Sequence, residues 1–174
     1  MEHSIAVLLH NIRSAHNVGS IFRTSDAVGV GKVYLTGYTP KPIDRFGRVQ
    51  KELAKTALGA EVSIPWEHAT SPITFIARLR KEGWLVVGVE QKTYAYDYRT
   101  FMLKGPTLFV FGNEVRGLSR SLCATCDAFI EIPMRGAMIR HANHPRRTRL
   151  GKESLNVSVA AGIVLFGVIS GQRF

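Results

Sequence analysis

Apolar residues in this chain come as short unbroken runs set between longer mixed segments. The runs "IAVLLH" (5–10), "KVYLTG" (32–37), "EVSIPW" (61–66), "WLVVGVE" (84–90), "TLFVFG" (107–112) and "AFIEIP" (128–133) predict strands. Most are continuously apolar rather than alternating, the pattern of strands covered on both faces of a parallel sheet. Between them, 17–28, 48–58, 72–82, 119–126 and 154–169 read as helices. Ser71 before Pro72 predicts an N-cap followed by a first-turn proline, and Gly59 and Gly83 sit where C-terminal glycines belong. Strand and helix in alternation predict an α/β fold: a mostly parallel sheet with helices on both faces, forming one domain over 1–174. The stretch "YTPKPIDRFGR" (38–48) reads as a loop carrying basic and aromatic residues, and no internal repeat or low-complexity linker interrupts the pattern.

Charge changes this picture more than composition does. Hydrophobic residues make up 45% and charged residues 21%, ordinary for a globular protein, but the formal net charge is +10. Such an excess favours a polyanionic partner, because each phosphate neutralised by Lys or Arg releases bound counterions. A membrane surface is the rival partner, yet no basic amphipathic helix of the right kind stands out. Two cysteines make no disulfide framework. The start "MEHSIAVLLHN" does not read as a signal peptide, and Val157–Ile169 is too short to cross a bilayer. The expected compartment is the cytoplasm.

Polar residues gather where the strands end. After the first strand come Asn11, Arg13, Asn17, Gly19 and Arg23; after the fifth come Gly112, Asn113, Glu114 and Gly117. After the sixth comes "PMRG" and then, past a basic stretch, "ESLNVSVA" with Ser154 and Asn156. Open α/β sheets bind ligands beyond the carboxyl ends of their strands, and glycine there lets a backbone approach a ligand closely. Taken singly, each cluster is also what turns and caps use. Taken together, "NxxxxxNxGxxxRTxxxxG", "FGNExxGLS" and "IPMxG…SLNVSVA" resemble the three motifs of the SpoU (TrmH-like) class of RNA 2′-O-ribose methyltransferases in the SPOUT superfamily. The resemblance runs from about Val7 to Phe166.

The resemblance implies an α/β fold with a deep C-terminal trefoil knot, S-adenosylmethionine bound in that knot, and a homodimer. By the same resemblance the cofactor would lie against Val89, Glu90, Gly112, Asn113, Gly117, Ile132, Met134, Ser154 and Leu155. The catalytic positions implied are Arg23, Asn17, Glu114, Ser154 and Asn156, with Arg23 assigned to activate the ribose hydroxyl. An alcohol is a poor nucleophile until its proton is partly removed, so such a site needs a base or a strong positioning device. A guanidinium stays protonated at ordinary pH, and a bidentate contact with the phosphate beside the target ribose is physically the easier role for it. Glu114 and Asn156 would orient Arg23 and the ribose, and Ser154 would cap the last helix. Methyl transfer relieves the positive charge of a sulfonium, so positioning can supply most of the rate and no metal is expected.

One departure from the family pattern stands out. "RGAMIRHANHPRRTRLGK" (135–152) holds six Arg or Lys, two His and no acid, and about 137–151 is inserted between "IPMxG" and "SLNVSVA". Three readings compete: a loop whose charge suits RNA phosphates, an insertion with no role, and a zinc site joining Cys123 and Cys126 to His141 and His144. The first is preferred, and the cysteines then read as small buried apolar residues. RNA contacts are expected at Arg13, Arg23, Arg116, Arg140, Arg146, Arg147 and Arg149. Tyr94, Tyr96 and Tyr98 fit either base stacking or packing onto the sheet, and packing is preferred. The function expected is 2′-O-methylation of structured RNA, transfer RNA ahead of ribosomal RNA. The rivals are a non-catalytic RNA-binding or assembly protein and a methyltransferase acting on a base or a protein.

Overall fold

The structure, a computed structural model, describes residues 4–135 and 154–170. Its strands are β1 (Ile5–His10), β2 (Lys32–Thr36), β3 (Trp66–Ala69), β4 (Leu85–Val89), β5 (Tyr96–Asp97), β6 (Thr107–Phe111) and β7 (Ala128–Glu131). All pair in parallel, in the order β3-β2-β1-β6-β4-β7-β5. The helices are α1 (Ala15–Val28), α2 (Lys51–Ala57), α3 (Ala60–Ser63), α4 (Pro72–Lys81), α5 (Arg120–Cys123) and α6 (Val157–Ser170). The chain builds outward from β1 to β3, then crosses to the other side of β1 for the remaining strands. The ends of β1 and β6 therefore meet where the strand order reverses, the place at which such sheets form a crevice.

The unbroken apolar runs have the cause expected of them. Side chains alternate across a strand, and here both faces are covered. Val7, Leu9, Val87, Phe109 and Phe111 face one core, which α1, α2 and α6 close. Ala6, Leu8, Val86, Leu108 and Val110 face the other, closed by α4 and α5. Ser71 caps α4 as expected, accepting a hydrogen bond from the Thr74 N–H, with Pro72 in the first turn. Gly83 takes φ +84° just beyond that helix.

One predicted strand is wrong. Residues 61–65 are not a strand: Gly59, at φ +96°, opens the short helix α3, and Glu61 accepts a hydrogen bond from the Gly59 N–H. Val62 is 84% exposed, so the apolar residues of this run do not form a buried strand; Ile64 is buried in the core and Trp66 packs against it. The strand begins at Trp66, after Pro65, and lies at the sheet edge against β2. Four helices are shorter than predicted, α2 spanning Lys51–Ala57, α4 ending at Lys81, α5 spanning only Arg120–Cys123 and α6 starting at Val157, while α1 starts earlier, at Ala15. The two-residue edge strand β5 and the 3-10 turn Tyr98–Thr100 were not predicted, because too few residues are involved to make a pattern. The tyrosines divide. Tyr98 packs beneath Gly167 of α6 and Tyr94 sets its edge against Phe129, while Tyr94 and Tyr96 remain exposed.

Among the described residues no helix is long and apolar enough to cross a membrane. The expected knot turns on how 136–153 is threaded, and those residues lie outside the described ones.

Helix α1 carries the first polar cluster, so its seat matters. It lies against α2 at Gly19, where a Cβ would meet the Leu53 carbonyl oxygen and the Thr56 hydroxyl and stand 3.1 Å from the Ala57 nitrogen. Gly19→Ala is therefore expected to destabilise the protein by about 1–3 kcal/mol. A thermal melt should show this as a fall of roughly 2–4 °C per kcal/mol.

Candidate active site

The loops that follow β1 and β6 are tied together by two neighbouring side chains. Glu114 accepts hydrogen bonds from the backbone N–H groups of Arg13 (3.0 Å) and Ser14 (3.1 Å) and from the Asn17 side-chain amide (3.1 Å). Its carboxylate thus sits at the N-terminus of α1, where backbone donors and the helix dipole favour negative charge. Burial pushes the Glu114 carboxyl up, but the N–H groups of Arg13, Glu114 itself and Ser14 and the Asn17 amide outweigh it and hold the carboxyl below its ordinary value. Asn17 passes the chain onward: its Oδ1 accepts from the Asn156 side-chain amide at 3.2 Å. Residues from all three sequence clusters meet in this one line, Glu114 to Asn17 to Asn156.

Asn113 is buried and uses its whole side-chain bonding capacity. Its Oδ1 accepts from the N–H groups of Val115 and Arg116, while its Nδ2 donates to the Asn11 carbonyl (2.9 Å) and the Tyr38 hydroxyl (3.0 Å). Asn11 takes φ +57°, a conformation Asn tolerates better than most residues, and its Oδ1 accepts from the Tyr38 N–H. The turn after Asn113 closes at Gly117, where φ is +63° and a Cβ would run into the Glu90 carboxylate. Glu90 in turn accepts from the Leu118 N–H at 2.8 Å. Gly112 is equally confined, since a Cβ there would come within 2.6 Å of the Gly117 backbone.

These loops enclose a cavity of about 230 Å³. Val89, Glu90, Gly112, Asn113 and Gly117 line one side; Ile132, Met134, Ser154 and Leu155 line the other. Every residue expected to hold a cofactor therefore borders the same space. The lining is apolar at Val89, Phe111, Ile132, Leu155 and Val157. Among the described residues it carries three carboxylates, Glu90, Glu114 and Glu131, against one cation, Arg116. In a chain of net charge +10 this small acidic concavity is an exception.

The other candidates fall as follows. Arg23 is exposed on α1, does not line the cavity, and makes no hydrogen bond or ion pair with another described residue. Glu114 and Asn156 hold the N-terminus of α1 and each other's partner Asn17, and neither is bonded to Arg23. Ser154 does not cap the last helix. Asn156 does, with its Oδ1 accepting from the Ser158 N–H at 2.8 Å. Arg13 and Arg116 are exposed near the cavity, while Arg140, Arg146, Arg147 and Arg149 lie outside the described residues. Cys123 and Cys126 are free and partly buried. Burial, with lesser contributions from Cys123 and Asp127, pushes the Cys126 thiol up to about 12. No group of three or more metal-ligating side chains occurs among the described residues, and His141 and His144 lie outside them. Sequence reasoning missed Tyr38 and Glu131, although both follow or end strands on the same edge of the sheet, which was the available signal.

Glu114→Gln should cost about 1–3 kcal/mol, since a charge-assisted acceptor of backbone N–H groups is lost. The sign with pH follows from the lowered carboxyl. The wild-type contribution is present above the ordinary value of 4.5 and is lost as pH falls through the folded-state value. Urea denaturation of both proteins at about pH 6 and about pH 3.5 should show the gap between them narrowing at the acidic end.

Comparison with known proteins gives a consistent result. The profile of the SpoU rRNA Methylase family matches residues 4–140. A protein of Staphylococcus haemolyticus assigned to the TrmH family of tRNA/rRNA methyltransferases is 34% identical over 95% of this chain and 58% of its own length. The 23S rRNA (guanosine-2′-O-)-methyltransferase RlmB of Ralstonia nicotianae is 31% identical over 95% of this chain and 58% of its own. The crystal structure of an AdoMet-bound rRNA methyltransferase from Sinorhizobium meliloti superimposes with a TM-score of 0.77 at 30% identity, covering 96% of this chain and 56% of that one. The chain thus spans a little under three fifths of these relatives' length. With its three polar clusters meeting at one end of a parallel sheet and most of its length matched by one profile, the chain belongs to the SpoU rRNA methylase family.

Proposed function

We propose that this chain is an S-adenosylmethionine-dependent methyltransferase that modifies a ribose 2′-hydroxyl of structured RNA, with transfer RNA the first substrate class and ribosomal RNA the second. The observation that carries this reading is the convergence of Glu114, Asn17 and Asn156 beside a cavity with apolar walls and three carboxylates. S-adenosylmethionine, when bound, supplies a methyl group activated by a sulfonium. The lining fits such a molecule: an adenine needs apolar walls such as Ile132 and Leu155, and the group's positive charge suits an acidic surface. Val89, Glu90, Gly112, Asn113, Gly117, Ile132, Met134, Ser154 and Leu155 would hold it.

The chain's own residues then have distinct tasks. The rigid Asn113–Gly117 turn keeps the cavity wall in place, and Glu114 fixes the start of α1. Asn17 and Asn156 present amide groups beside the cavity that can orient a ribose hydroxyl. Arg23 has no hydrogen-bond or ion-pair partner among the described residues, as a group reserved for a phosphate would. A guanidinium there would grip the phosphate beside the target ribose by a bidentate contact and aim the hydroxyl, whose proton would pass to that phosphate as the oxygen takes the methyl group. Cytoplasmic RNA, a C-terminal knot and a single domain over 1–174 belong to the same reading.

A homodimer belongs to it as well. Helix α6 is apolar around its whole circumference, and while one side is buried against α1, Val159 and Phe166 stay 49% and 47% exposed. A helix apolar on all sides needs a second surface to cover it.

Incubation with transfer RNA and radiolabelled S-adenosylmethionine should place label on a ribose. Arg23→Ala should lower that transfer by roughly 100- to 1,000-fold, as loss of a positioned cationic donor does, while calorimetry finds cofactor binding unchanged. Label on a base would refute the reaction, and equal rates in the two proteins would refute the role of Arg23.

A further inference from the structure

Between β2 and α2 the chain makes a compact projection that the proposed reaction does not use. Ile43 and Val49 form an antiparallel bridge, and the Asp44 carboxylate accepts from the N–H groups of Phe46 (2.8 Å) and Arg48 (3.0 Å). Gln50 N–H bonds back to the Pro42 carbonyl at 2.8 Å, and Gly47 supplies the positive φ at the bend. This is a built turn, and at its tip it displays Phe46, 66% exposed. The guanidinium groups of Arg45 and Arg48 lie 4.8 and 5.0 Å from the centre of that ring. Beside it an open groove of about 650 Å³ runs past Ile43, Tyr38 and Lys41 to His68.

The chemistry of the groove narrows its occupant. The guanidinium groups of Arg45 and Arg48 lie over the Phe46 ring, and such a stacked pairing of aromatic ring and guanidinium planes is a platform on which a nucleobase stacks. Lys41 and Arg45 have no acidic partner among the described residues, so their charge is available to phosphates; Asp44, the one acid in the groove, is already paired with Arg48 at 2.8 Å. The groove is also joined to the cavity described above. The Tyr38 hydroxyl at its near end accepts the hydrogen bond from Asn113, which lines that cavity. Bases inside a duplex do not present their faces, so the fitting strand is unpaired.

We infer that the groove formed by Tyr38, Lys41, Ile43, Arg45 and Phe46 is a docking site for unpaired RNA nucleotides that flank the modified residue. This rests on the reading of the chain as an RNA-modifying protein, and it adds to it. Recognition would require a single-stranded loop with at least one base stacked at Phe46 while a neighbouring nucleotide reaches the cavity. The groove would sense that a base is unpaired rather than which base it is, since stacking is tolerant of sequence.

The test uses the whole chain and a fluorescent eight-nucleotide oligouridine, followed by anisotropy, with a blunt RNA duplex and polyglutamate as comparison ligands. Phe46→Ala changes an exposed side chain and should leave folding intact. It is expected to weaken oligouridine binding about 5- to 100-fold, with duplex and polyglutamate binding unchanged. The double variant Lys41→Ala/Arg45→Ala should flatten the logarithmic salt dependence of oligouridine binding by roughly 0.7 per cation removed. Calorimetry should find S-adenosylmethionine binding the same in all three proteins. Undiminished oligouridine binding by the Phe46 variant overturns the site. An equal loss for polyglutamate also overturns it, because the surface would then be a general one for anions or acidic proteins. If wild-type protein binds no S-adenosylmethionine while the Phe46 contrast holds, the proposed reaction fails and the groove stands.

Discussion

A carboxylate at the start of a helix organises one end of this molecule. Parallel strands leave their loops side by side at one edge of the sheet, but nothing in strand pairing fixes how those loops meet. Glu114 does so by accepting backbone N–H groups at the N-terminus of α1, a hundred residues earlier in the chain. Asn113 repeats the connection from the other side, spending both amide hydrogens on Asn11 and Tyr38. The polar atoms buried at this edge are therefore satisfied by one another, which is how a polar cluster inside a protein avoids a desolvation penalty. Loosening Glu114 would untie the first turn of α1 from the loop after β6, and with it the placement of Asn17 against Asn156.

The sheet was legible in the sequence because its strands are apolar on both faces. Runs such as "IAVLLH" and "TLFVFG" have no polar side to confuse with a helix or a loop, and five of the six predicted strands lie where expected. The failure at 61–66 has a local cause. There the apolar residues are few, a glycine in a left-handed conformation starts a helical turn, and a proline separates that turn from the strand. Edge strands carry weaker patterns for the same reason: β3 is only partly buried and β5 is two residues long.

The cavity was legible too, through residues that follow strands. Its nine expected lining residues come from four loops and still share one space, which is a consequence of parallel topology more than of any single motif. Tyr38 was not legible, because its connection to Asn113 depends on the left-handed Asn11 bringing two loops together. Charge was informative in bulk and misleading in detail. A net charge of +10 points toward nucleic acid, but among the described residues the cavity lining is acidic, and the basic groove beside it belongs to a loop between strand and helix.

The pairing of β1 with β6 has a consequence for how the chain is made. Thr107–Phe111 must leave the ribosome before the first strand finds its partner on that side. At about 5–20 residues per second, Ile5–His10 waits on the order of five to twenty seconds with one edge unpaired. During that interval the shelter comes from elements already made: β2 on one edge, α1 and α2 on one face and α4 on the other. Slowing translation between the second and sixth strands would therefore lengthen the time for which that edge stays unpaired.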